Sequence, residues 1–80
     1  MYITSLDRRY NLNEFNFYGT TGDFGVIYVL ELFIDCPINK FEALNGVITV
    51  HDGEKTYSFE GFELNEWYKE GDGIKIVYVK

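Results

Sequence analysis

Residues 46–59, GVITVHDGEKTYSF, decide how the rest of the chain is read. Two runs of alternating residues flank Asp52-Gly53, a pair suited to the positive φ values of a type I′ turn. A period of two around such a turn is a β-hairpin. The segments on either side therefore become candidates for further strands.

Downstream, residues 57–73, YSFEGFELNEWYKEGDG, continue the alternation. Tyr57 and Phe59 share a face, and a strict period of two would send Phe62 and Leu64 to the other. A β-bulge at Glu60-Gly61 would return them to the first face, leaving Ser58, Glu63 and Asn65 towards water. KEGDG reads as another turn. The terminal IKIVYVK reads as a strand with Ile74, Ile76 and Tyr78 on one side and Lys75, Val77 and Val79 on the other.

Upstream, DCPINKFEALNG (35–46) carries the signals of a short helix over 39–45: Asn39 as cap, Glu42 as its capping-box partner, Phe41 and Leu44 on one side, and Gly46 at the end. Val26 to Ile34 is nearly all apolar and rich in β-branched and aromatic residues, as a central strand covered on both faces would be. GTTGDFG (19–25) reads as a glycine-rich turn. Tyr2 to Leu6 forms a first strand, and LDRRY turns the chain into a short second strand around Tyr10 to Leu12.

Six to seven short strands with one short helix point to a mainly β fold, a small antiparallel β-barrel or two-layer sandwich in a single domain over 1–80. A ferredoxin-like α+β fold would need two substantial helices.

Composition narrows the function. Cys36 is the only cysteine, so an internal disulfide and a cysteine-based zinc site are excluded, and a small buried hydrophobe is its expected role. The longest apolar run, Gly25 to Phe33, is broken by Glu31 and falls far short of the ~20 residues that span a bilayer. The first arginines follow the apolar N-terminal residues, the reverse of a secretory signal, so a cytoplasmic location is expected.

The formal charge is −6, with no basic residue between Arg9 and Lys40 and with Glu60, Glu63 and Glu66 unopposed in residues 57–68. Direct binding to nucleic acid or to an anionic membrane is disfavoured, because both need clustered Lys and Arg. A protein partner with a basic surface, or self-association, fits better.

No signature of catalysis stands out. GTTGDFG lacks the GKS/T ending of a P-loop and leads into a strand instead of a helix. His51, the only histidine, is expected at an exposed hairpin tip with no serine or cysteine beside it. No ligand cluster or calcium-loop spacing is present. The expected catalytic, cofactor-binding and metal-binding sets are therefore empty, and a non-enzymatic role follows.

Trp67 and Tyr68 stand between Glu66 and Lys69-Glu70, residue types suited to an aromatic anchor inside an acidic rim. The candidate protein-binding set is Glu60, Glu63, Glu66, Trp67, Tyr68, Glu70 and Asp72. In the plainer alternative Trp67 closes one end of the core and Tyr68 covers its edge. The expected function is a small acidic binding module that occludes a basic, nucleic-acid-binding surface of another protein. The alternative is a structural subunit of a symmetric assembly such as a virion or tail component, using the apolar strand faces, although Lys75 and Lys80 could equally protect a monomer's edge. In composition alone the chain is similar to accessory proteins of phages and mobile elements, including small inhibitors of host nucleases. That likeness implies a non-enzymatic role and locates no site.

Overall fold

The computed structural model describes residues 1–42, 44 and 46–80. Seven antiparallel strands form one sheet: β1 (Tyr2–Ser5), β2 (Arg8–Gly22), β3 (Gly25–Ile34), β4 (Ile48–Asp52), β5 (Lys55–Phe59), β6 (Glu63–Glu70) and β7 (Gly73–Val79), in the spatial order β5-β4-β1-β2-β3-β7-β6. The sheet folds over itself along β2. Residues 8–11 of β2 pair with β1, and residues from Leu12 onward pair with β3. Between Leu12 and Glu14 the register slips by one residue, a bulge that redirects the strand from one layer into the other. The result is the expected two-layer β architecture, closed over Ile3, Ile48, Val50 and Phe59 from one layer and Leu30, Leu32, Ile74, Ile76 and Tyr78 from the other.

Several local expectations change. β2 spans 15 residues and absorbs most of the glycine-rich patch, so only Asp23 and Phe24 turn the chain. β3 occupies an interior position in the sheet, but only Val29 to Ile34 are flanked by β7. Val26, Ile27 and Tyr28 run past it and remain exposed, so the strand is not covered on both faces throughout.

The helical turn is 3-10, over Ile38–Lys40, with Pro37 at its start and no side-chain cap; Phe41 is already extended. Asn39 therefore does not cap it, and Glu42 forms an ion pair with Arg8 and donates its backbone N–H to the Tyr10 hydroxyl at 3.1 Å. The rest of the expected 39–45 helix includes Ala43 and Asn45, which lie outside the described residues.

The turn between β4 and β5 is Gly53-Glu54, one residue later than Asp52-Gly53, because Asp52 pairs with Lys55. The inferred bulge at Glu60-Gly61 is instead a crossover. β5 and β6 are consecutive in the chain yet lie at opposite ends of the sheet, and the true bulge falls between Leu64 and Glu66. Phe59 is nonetheless buried, with Phe62 packed against the core beside it. β7 lies between β3 and β6, so Lys75 and Lys80 guard no edge. Lys75 pairs with Glu31, and the Lys80 ammonium donates to the Glu60 carbonyl across the crossover at 2.9 Å.

Candidate interaction surface

Residues paired across antiparallel strands point to the same face of a sheet. The registers of β2, β3, β7 and β6 therefore define three cross-strand rows on the face turned away from the core. They are Tyr18–Val29–Val79–Glu63, Asn16–Glu31–Val77–Glu66 and Glu14–Phe33–Lys75–Tyr68, with Glu70 beside Gly73 continuing the last. The two central strands contribute Val29, Val77, Val79 and Phe33 around the Glu31–Lys75 pair, and Val29 and Val77 are each only 9% exposed although they face outward. Tyr18 and Tyr68 stand at opposite margins, both exposed.

Lys75 is the only basic side chain in these rows, and the surface neutralises it internally. Its ammonium lies 3.0 Å from the Glu31 carboxylate and over the Phe33 ring. The hydrogen bond to Glu31 pushes the Lys75 pKa above its ordinary value, with desolvation opposing it. Glu14, Glu63, Glu66 and Glu70 form none of the described ion pairs. The face thus presents a mainly apolar centre, with one ion pair closed on itself, and four unopposed carboxylates around it.

Of the residues marked out by sequence, Glu63, Glu66, Tyr68 and Glu70 come together on this face. Trp67 points to the other side of β6, against Phe41 with ring centroids 4.9 Å apart, where it closes one margin of the core while remaining exposed along one side. Glu60 lies in the crossover. Asp72 lies in the β6–β7 turn and lines a cleft of about 350 Å³ with Asn13, Glu14, Asp35 and Glu70. Among the described residues no three His, Cys, Asp or Glu side chains are grouped so as to hold a metal ion.

Tyr18, Glu14 and Phe33 were missed in the sequence. The alternation of Glu14, Asn16, Tyr18 and Thr20 carries the signal, but Gly19 and Gly22 within and after it resemble a turn and obscure a long strand.

His51 is also displaced from its expected place. It is half-buried in the other layer, stacked on Tyr2 with centroids 4.3 Å apart, and its Nε2 lies 3.0 Å from the Thr4 hydroxyl. Arg9 caps the far side of the same Tyr2 ring. Such a stack orders a sheet face. Cys36 is buried in the core, where desolvation raises its thiol pKa.

No protein-family model matches the chain, nor does any curated protein or solved structure. Among the described residues no helix is long and apolar enough to cross a membrane.

Proposed function

We propose that the protein is a non-enzymatic acidic binding module that lays the outer face of β2, β3, β7 and β6 against a basic surface of another protein. The supporting observation is the set of three cross-strand rows, whose single cation is consumed by Glu31 while carboxylates ring an apolar centre. Charge at such a rim steers encounter and selects a partner of opposite sign, and the apolar centre supplies the area to be dried. Glu63, Glu66 and Glu70 run in a line along one strand, an arrangement that a surface built to hold a phosphate backbone would accept.

The test is affinity capture with the wild type and with Glu63→Gln, Glu66→Gln and Glu70→Gln combined, which leaves a net charge of −3 from the original −6. Basic proteins held by the wild type should bind the triple variant about tenfold more weakly at low salt, with the difference shrinking as salt rises. An identical captured set with unchanged salt dependence would refute the assignment.

A second reading, a subunit of a symmetric assembly, draws on the β2–β3 hairpin. Phe17, Tyr18, Phe24, Val26, Ile27 and Tyr28 all belong to it and are six of the fourteen exposed large hydrophobics among the described residues.

A further inference from the structure

Among the described residues the sheet leaves strand edge unpaired at β5, at β6, at the first three residues of β3 and along β2 beyond β1, and only the last is both long and unprotected. β5 is five residues long and begins with Lys55. β6 carries a bulge and the charges of Glu63, Glu66, Lys69 and Glu70. β2 is different. Once β1 leaves it at Asn11, Glu14 to Gly22 runs without a further register slip, with one charge and no lysine or proline, and among the described residues no strand pairs with its outer edge. Bulges, lysines and short length are the usual blocks against strand addition, and this edge has none of them.

The backbone polarity of that edge follows from the ladder. Tyr28 exchanges hydrogen bonds with Lys80, at 3.0 Å from its own N–H and 2.9 Å to its carbonyl, so its peptide groups point towards β7 and away from β2. Its partner across the hairpin, Gly19, therefore aims its N–H and C=O off the free edge. By alternation Phe15, Phe17 and Thr21 do the same.

We propose that β2 pairs antiparallel with β2 of a second copy about a two-fold axis at Tyr18. That register sets Phe15 opposite Thr21 and Phe17 opposite Gly19, so all four residues with outward-facing peptide groups exchange bonds with one another. A centre one or two residues away leaves some of them unmatched. Glu14 falls opposite Gly22, so no two charges meet. Tyr18 is the midpoint of the free stretch, so each hairpin fills the edge vacated by β1 in the other copy.

Area points the same way. One outer face is roughly 19 Å by 20 Å, on the order of 400 Å², from four strands at their usual spacing. That is half of the ~800 Å² that a standard interface takes from each partner. Pairing at β2 sets the two outer faces side by side and doubles the surface.

The proposal is tested by solution mass and by register. Sedimentation across a wide concentration range should show the wild type moving from 9.4 kDa to twice that mass. Tyr18→Lys sets like charges against each other at the axis, and at least a tenfold weaker association is expected. Tyr18 makes a non-hydrogen-bonded pair with its own copy, with Cα atoms about 4.5 Å apart, so Tyr18→Cys should cross-link on mild oxidation. Thr20→Cys, separated from its copy by roughly 13 Å, should not. Both cysteine tests keep the buried Cys36. A wild type that stays monomeric throughout, a dimer indifferent to Tyr18→Lys, or equal cross-linking at positions 18 and 20 would each overturn the proposal.

Discussion

Leu6 holds φ at 55° in the two-residue turn between Ser5 and Arg8, and it is the only non-glycine residue at positive φ among the described residues. The turns after β4 and β6 are built alike, and there the same position is Gly53 at 62° and Gly71 at 60°. A leucine in that conformation costs about 1–2 kcal/mol, and this side chain is 80% exposed, so burial returns little. Leu6→Gly is therefore expected to stabilise the fold by about 0.5–1 kcal/mol after glycine's greater chain entropy. In thermal unfolding followed by circular dichroism, that is a rise of about 3–6 °C. An unchanged or lower midpoint would show that the leucine side chain returns more than the strain costs. Residues of this kind also mark where local reading ends. A one-residue move of the β4–β5 turn places His51 in the ladder opposite Tyr2, and nothing near position 51 announces a partner at position 2.

At the scale of elements, legibility followed the locality of the constraint. The β4–β5 and β6–β7 hairpins are written in their own residues, a period of two ending at a glycine, and both form. β2 was under-read because Gly19 and Gly22 resemble a turn, whereas pairing to β3 along ten registered positions overrides their weak strand preference. The strand order was unreadable for a different reason. The crossover at Glu60 to Phe62 keeps Tyr57, Phe59, Phe62 and Leu64 facing inward just as a bulge would, so both topologies fit the same pattern. Of the candidate site, Glu63, Glu66, Tyr68 and Glu70 were legible from alternation along β6, but the rows that complete it join strands distant in the chain. One glycine ties two of these elements together. At Gly73, the start of β7, an added Cβ would overlap the backbone carbonyl oxygen of Ile34, which has no freedom to swing aside. Gly73→Ala should thus cost about 1–3 kcal/mol, read as a lower denaturant midpoint with an unchanged slope. A midpoint equal to wild type would mean that β3 and β7 can part at that end without loss.

The whole molecule is coupled through Tyr78. Its ring lies between the layers at 1% exposure, and its hydroxyl donates to the Leu44 carbonyl at 3.1 Å, fastening the segment between β3 and β4 to the core. Burial pushes the phenol pKa from 10 up to about 12, against the lowering effect of the Leu44 hydrogen bond. The folded state therefore holds its proton after the unfolded chain has lost it. Stability from this group is complete below pH 10 and falls between pH 10 and 12, by about 1.4 kcal/mol per pH unit where the dependence is steepest. Tyr78→Phe should cost about 1–3 kcal/mol at neutral pH, because the Leu44 carbonyl loses its donor, and should flatten the alkaline decline. Denaturant titrations of both proteins across that range check it, and parallel curves would assign the decline to the other tyrosines.

The overall shape carries the imprint of the projecting hairpin. The radius of gyration is 12.4 Å, against about 11.6 Å for a compact chain of this length.

The pairing of β3 with β7 has a consequence in time as well as space. Ile34 meets Ile74 and Val29 meets Val79, so the strand that covers the second edge of β3 is the last of the seven to be synthesised. The β2–β3 hairpin is complete about forty residues earlier, with Leu30, Leu32 and Ile34 already lined up and no second layer to receive them. Such long-range closure is slow, and the waiting hairpin is the species most open to wrong partners. The edge of β2 proposed to pair in the finished protein is therefore a hazard of its synthesis, and speed of completion becomes part of what limits wrong pairing until the chain is folded.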